Sequence, residues 1–274
     1  MNKIKVFLII IILLQLFLSC NKRQSSTYEI VQPTPAKTWV IVWQDEFDGS
    51  DINSSNWSFD IGSLYGGWGN NELEYYTSRT QNAYVENGNL IIQALKEDYN
   101  GYSYTSARLK SINKIYFKYG KIEAKIKLPY GQGIWPAFWM MGQTGIWPSC
   151  GEIDIMEMIG GGIGRDNKCY GTVHWDDNGH MYSGGNISLT WPEIFADDYH
   201  IFGIEWNEEK IKWFFDNTLY YEIDITNAYM AELHQEFYIL LNIAVGGNWP
   251  GAPDATTVFP QKMYIDWIKW YQWK

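Results

Sequence analysis

Beyond Thr38 the chain repeatedly alternates apolar and polar residues with a period of two, the pattern of a strand with one buried face. Lys121–Lys127 is the clearest case: Ile122, Ala124 and Ile126 share one face, and Lys121, Glu123, Lys125 and Lys127 the other. The same reading predicts strands at Asn89–Leu95, Tyr199–Trp206, Lys210–Phe215, Tyr220–Ile225, Phe237–Val245 and Lys262–Trp273. Clusters of Gly, Asn, Asp and Pro punctuate them. Helical periodicity is weak, and Ala228–Gln235 is the one short helix expected. With no internal repeat and no shift of composition, residues 38–274 read as a single all-β domain. Its many short strands predict two packed antiparallel sheets, a β-sandwich.

The N-terminus follows a different rule. Lys3 and Lys5 precede an apolar run from Val6 to Leu18, broken only by Gln15. As a helix it would span roughly 20 Å, short of the ~30 Å hydrocarbon core, so it reads as a signal peptide rather than a membrane span. The run ends in Leu16-Phe17-Leu18-Ser19-Cys20, which resembles a bacterial lipobox, apart from the bulk of Phe17. The expectation is a leader over 1–19 and a lipid-anchored Cys20, followed by a polar linker over 20–37. The protein would then be exported and tethered to a bacterial, outer-membrane or cell-surface, lipid layer.

Composition narrows the class further. The 274 residues include 15 Trp, 20 Tyr and 12 Phe, an aromatic load incompatible with a disordered chain. The net charge of −10, or −12 without the leader lysines, argues against nucleic acid as partner. Only four arginines are present (Arg23, Arg79, Arg108, Arg165), which disfavours sulfated polysaccharides. Cys150 and Cys169 fall at opposite ends of an expected hairpin, Glu152–Glu157 with Tyr170–Trp175, beyond the ~7 Å Cα limit of a disulfide. Two buried free thiols are expected.

The chemistry concentrates in Gly151-Glu-Ile-Asp-Ile-Met-Glu-Met158. In a regular strand Glu152 and Asp154 share a face, while Ile153 and Ile155 point to the core. Strict alternation would send Glu157 into that core, where an ionised carboxylate is prohibitively costly. One inserted residue, a β-bulge, returns Glu157 to the acidic face. The two glutamates then lie roughly 13 Å apart at Cα, and inward-leaning carboxylates approach to about 5–6 Å. That is the separation of a retaining glycosidase pair, nucleophile and acid/base; an inverting pair needs about 6.5–9.5 Å. At such a distance mutual repulsion is expected to keep one carboxyl protonated near neutral pH. A merely solvated acidic face would be expected to carry interleaved Lys or Arg, and none is present.

These residues, with Trp43-Gln-Asp-Glu-Phe-Asp-Gly49, Asn70-Asn-Glu-Leu-Glu-Tyr-Tyr-Thr77 and Gly133-Ile-Trp-Pro-Ala-Phe-Trp-Met140, make residues 39–274 resemble glycoside hydrolase family 16, in its laminarinase-like branch. The resemblance implies a jelly-roll sandwich with a concave cleft, Glu152 as nucleophile, Asp154 as its assistant and Glu157 as acid/base. It further implies substrate contacts from Trp135, Trp139, Asn70 and Arg108, and places His174 near the acid/base. No catalytic cofactor is implied. A structural calcium is, held by Glu46, the Gly88 carbonyl and Asp266, an oxygen-only set of the kind calcium takes. The expected activity is internal cleavage of β-1,3-glucan by a monomer. Mixed-linkage β-1,3-1,4-glucan and a non-catalytic glucan-binding lectin are the alternatives.

Overall fold

The computed structural model describes residues 37–274. The leader, Cys20 and the linker up to residue 36 lie outside the described residues. In chain order come β1 (Trp39–Asp45), β2 (Ser58–Asp60), β3 (Glu74–Tyr76), β4 (Ala83–Glu86), β5 (Asn89–Tyr99) and β6 (Tyr102–Ser106). Then follow β7 (Arg108–Lys110), β8 (Gly120–Lys127), β9 (Ile134–Gly142), β10 (Glu152–Met158), β11 (Lys168–Asp176) and β12 (His180–Ser188). The last are β13 (His200–Trp206), β14 (Lys210–Phe215), β15 (Thr218–Asp224), β16 (Phe237–Val245) and β17 (Gln261–Trp273).

They form two sheets. The seven-stranded one runs β12-β11-β10-β9-β16-β7-β2, so β10 sits inside it with a partner on each side. The ten-stranded one follows β15-β14-β13-β8-β17-β5-β6-β3, with β1 added on β17 and β4 on β5. Every pairing is antiparallel except β3 with β6, which is parallel. Ile122, Ile126, Ile204 and Ile265 from the larger sheet meet Phe138, Met140, Ile153, Ile155, Val173 and Leu241 from the smaller in one continuous core. This is the two-layer sandwich that the period-two pattern implies, because each sheet can bury only one face and the second sheet supplies the cover.

β14 and β16 occupy the ranges read from the sequence, and β8 begins one residue earlier. β16 is buried at all nine positions, since it is flanked by β9 and β7 and covered on both faces. Two local features differ from expectation. The segment expected to be an α-helix is a 3-10 turn, Ala228–His234, interrupted at Met230 and without a side-chain cap. It is too short to nucleate an α-helix and is held instead by burying Met230 and Leu233. A π-helical turn at Gly67–Asn71, with Trp68 at φ 53°, has no counterpart in the sequence pattern. Cys150 and Cys169 are free and buried; Cys169 opposes Met158, at the end of β10 away from Cys150.

Candidate active site

The register of β10 breaks where the acid pattern requires it to. Against β9, Asp154 faces Trp139 but Met156 already faces Phe138; against β11, Asp154 faces Thr172 and Glu157 faces Tyr170. Ile155 is the extra residue. Both Ile155 and Met156 enter the core, and Glu157 returns to the half-exposed face that carries Glu152. A bulge disturbs the backbone ladder, and the opposite sheet repairs it: buried Trp213 on β14 donates its indole N–H to the Asp154 carbonyl at 2.8 Å. Trp213 can approach because β11 carries Gly171 there; a Cβ on Gly171 would lie 2.3 Å from the indole ring.

The Glu152 end is surrounded by ionisable groups. His174 on β11 faces Glu152 across the strands. Its Nε2 lies 3.0 Å from Asp154 Oδ2 and 3.7 Å from Glu152 Oε1, and its Nδ1 lies 2.8 Å from His180 Nε2. The two imidazoles stack, with Tyr182 and Trp147 against His180. His174 therefore serves the Glu152 end, correcting the expectation that it stands beside Glu157: it pairs with Glu152, whereas Glu157 faces Tyr170, four residues away on β11.

The Glu157 end is aromatic. Trp135 donates its indole N–H to Glu157 Oε1 at 3.0 Å. Trp249 packs edge-on against Trp135 and Tyr170, with centroids 5.5 and 5.0 Å away, and keeps 40% of its surface exposed. The loops that carry this wall are tied together. Asp166 accepts the backbone N–H groups of Gly131 and Gly161, and Arg165 donates to Gln132 Oε1 and the Pro250 carbonyl.

Burial pushes all three acids upward. Glu152 rises to about 8, from burial first and Asp154 second, with His174, Arg108 and Trp147 opposing. Asp154 also rises to about 8 through burial, against a hydrogen bond with Glu152. Glu157 rises well above the usual carboxylate range, again from burial before repulsion by Asp154 and Glu152. Repulsion is thus the lesser cause, contrary to the sequence-based expectation. The charged form loses its hydration on the floor of the site, and that outweighs neighbours several ångströms away.

Trp139 and Arg108 lie further along the same face. Arg108 stands 4.7 Å from the ring of Trp139 and 4.7 Å from that of Trp68, and its Nε is 3.1 Å from Asp60 Oδ2. Trp139 donates to Asn242 Oδ1. Asn242 in turn donates to the Tyr76 hydroxyl, which donates to Glu72 Oε2. Asn70 donates to Glu72 Oε1 at 3.1 Å, so it is joined to Trp139 through this chain. Glu74, fully buried beside Glu72, accepts the Val245 N–H, and burial raises its pKa well above normal. Sequence reasoning missed Trp249, His180, Tyr182, Asn242 and the Glu72–Glu74 pair. The Asn70–Thr77 segment was the signal for the last, since two glutamates in a strand-forming stretch need partners.

Glu46, Gly88 and Asp266 fall on the ten-stranded sheet: Glu46 just past β1, Gly88 in the β4–β5 turn and Asp266 in a bulge of β17. Their oxygen chemistry suits calcium. Each carboxylate, however, already faces a lysine, Glu46 with Lys269 at 2.9 Å and Asp266 with Lys125 at 2.7 Å.

The family model for "Glycosyl hydrolases family 16" matches residues 70–269. The chain belongs to glycoside hydrolase family 16. Among family relatives, a β-glucanase of Rhodothermus marinus is 39% identical over 259 residues, covering 87% of each chain. The clotting factor G alpha subunit of Tachypleus tridentatus is 42% identical over 241 residues, 85% of this chain; the chain spans only 34% of that protein. Among solved structures, the laminarinase catalytic domain of Thermotoga maritima superposes with a TM-score of 0.77 at 44% identity, covering 85% of this chain and 98% of that one. The family 16 assignment agrees with the jelly-roll sandwich described above.

Proposed function

We propose that the chain is a retaining endo-1,3-β-glucanase acting on laminarin-type glucans. The observation that carries this is the bulge of β10, which sets Glu152 and Glu157 on one face with Asp154 between them. Glu152, as the carboxylate, attacks the anomeric carbon while Glu157 gives its proton to the departing glycosidic oxygen. Glu157 then takes a proton from water, and that water attacks the same carbon and releases Glu152. Asp154, more buried than Glu152, retains a proton shared with it and so leaves Glu152 the anion. Trp135 and Trp139 offer indole faces to pyranose rings, and Asn70 and Arg108 hold the far end of the binding surface.

The similarity to a protein named laminarinase and to one named β-glucanase supports β-1,3-glucan as substrate. Mixed-linkage glucan is the second reading within the same chemistry. A pure lectin has no use for two glutamates brought together by a bulge. A product time-course on laminarin and on mixed-linkage glucan, with Glu152→Ala beside wild type, tests the proposal. Rapid internal cleavage of laminarin, absent in the variant, is expected; turnover that survives in Glu152→Ala removes the nucleophile assignment.

Two narrower readings accompany it. A lipid on Cys20 would tether the enzyme, and Cys20→Ala is then recovered in the soluble fraction; unchanged membrane association ends the idea. A calcium across Glu46, Gly88 and Asp266 would have to displace Lys269 and Lys125, so a small rise in melting temperature with calcium, reversed by chelator, is expected. No shift in either direction removes it.

A further inference from the structure

The Glu152 end of the site has the geometry of an open metal centre. Glu152, Asp154 and His174 each offer a ligand atom, all within 4.8 Å of one another. His174 Nε2 lies 3.0 Å from Asp154 Oδ2 and 3.7 Å from Glu152 Oε1. In a tetrahedral zinc site with bonds of ~2.0–2.1 Å, ligand atoms stand roughly 3.3 Å apart. The two His174 separations bracket that value, and with the carboxylates within 4.8 Å of each other a cation enters as the side chains close on it. The imidazole is oriented from behind, since His174 Nδ1 lies 2.8 Å from His180 Nε2. With Nδ1–H donated to His180, the Nε2 lone pair points at the carboxylates, as in metal-bound histidines whose other ring nitrogen is held by a hydrogen bond. His174 and Glu152 are part-exposed and Asp154 is buried, which leaves the fourth position on the side open to solvent.

We infer that this triad binds a borderline divalent transition ion of the zinc or copper class, and that the ion reversibly blocks the enzyme. One nitrogen and two carboxylate oxygens suit such ions, whereas calcium and magnesium take oxygen ligands in larger number. Among the described residues no other trio of His, Cys, Asp or Glu comes this close. Two desolvated acids share a single imidazole there, and a dication supplies the missing positive charge. A bound ion occupies the Glu152 oxygen that the reaction needs, so metal and substrate compete. The blocking half rests on the glucanase reading; the binding half does not.

The test is calorimetric titration of untagged, chelator-treated full-length protein with zinc chloride, alongside His174→Gln, Asp154→Asn and His180→Gln. Melting curves confirm that each variant is folded. One equivalent should bind to wild type, with affinity at least tenfold weaker in His174→Gln and Asp154→Asn. His180→Gln should weaken binding too, by less than either ligand variant, since loss of an outer partner typically costs about 10–100-fold. Cobalt should give visible absorption bands in wild type that are missing in His174→Gln. A laminarin oligosaccharide should weaken zinc binding, and chelator should restore laminarin turnover. No binding up to millimolar zinc, or folded variants that bind as wild type does, overturns the inference. Zinc binding with this variant pattern in a chelated protein that never cleaves laminarin keeps the site and retracts the glucanase reading instead.

Discussion

The two ends of β10 carry the same side chain and different surroundings. Glu152 stands among Asp154, His174 and His180, in a chain of groups that can share or pass protons. Glu157 stands among Trp135, Tyr170 and Trp249, with one indole N–H as its direct side-chain partner. Burial raises both pKa values, so burial alone does not divide the labour. What divides it is the supply of compensation. At the Glu152 end, Asp154 can hold a proton and the His174 imidazole stands 3.7 Å away, so an anion is tolerated. At the Glu157 end an apolar fence keeps the proton on until the leaving oxygen needs it. Environments that push like groups apart are how one fold assigns acid and base roles.

The strongest way to break this comparison is to neutralise one end at a time. Glu152→Gln should lower kcat about 10⁴-fold or more on every substrate, because no covalent intermediate forms. The same variant should gain stability between pH 5 and 8. Burial raises Glu152 and Asp154 each to about 8, so the pair, with its shared proton on Asp154, binds more protons folded than unfolded across that window, and wild type loses stability as pH rises through it. Melting curves at pH 5 and pH 8 check the sign. Glu157→Gln should cost about 10²–10⁴-fold on laminarin, but far less on an aryl glycoside whose leaving group needs no proton. Equal losses on both substrates would mean that Glu157 is not the acid.

Smaller effects sharpen the contrast. Trp213→Phe leaves the Asp154 carbonyl at the bulge without its donor, and a buried orphan of that kind costs about 1–3 kcal/mol. Reduced melting temperature with a lowered kcat is expected; a full-rate enzyme would show that the bulge holds without help. Trp135→Phe removes the bond that favours the Glu157 anion. Its pKa should rise, so the alkaline limb of kcat/KM should move to higher pH while kcat/KM at the optimum falls about fivefold to tenfold, the worth of roughly one hydrogen bond. A limb that stays in place would detach Glu157 from that titration.

The comparison also marks what the sequence could show. The bulge was legible because Glu157 breaks a period of two that Ile153 and Ile155 otherwise keep, and burying a charge is the costlier alternative. Trp135 and Trp139 were legible by their four-residue spacing on one strand. The supports were not: Trp213 reaches Asp154 from the other sheet, and Trp249 reaches the acid wall from a distant loop. His174 was placed by strand but not by register: it pairs with Glu152, before the inserted residue, and so stands four residues along β11 from the Tyr170 that faces Glu157. Contacts between segments far apart in the chain leave no local period to read.

The central claim is that Glu152 becomes covalently attached to sugar. The most direct measurement is mass spectrometry of the protein after incubation with an activated 2-fluoro laminarioligosaccharide, followed by peptide mapping. One sugar adduct on the peptide containing Glu152, and none in Glu152→Gln, is the expected result. A label on another carboxylate, or none on an enzyme that cleaves laminarin, would contradict the account.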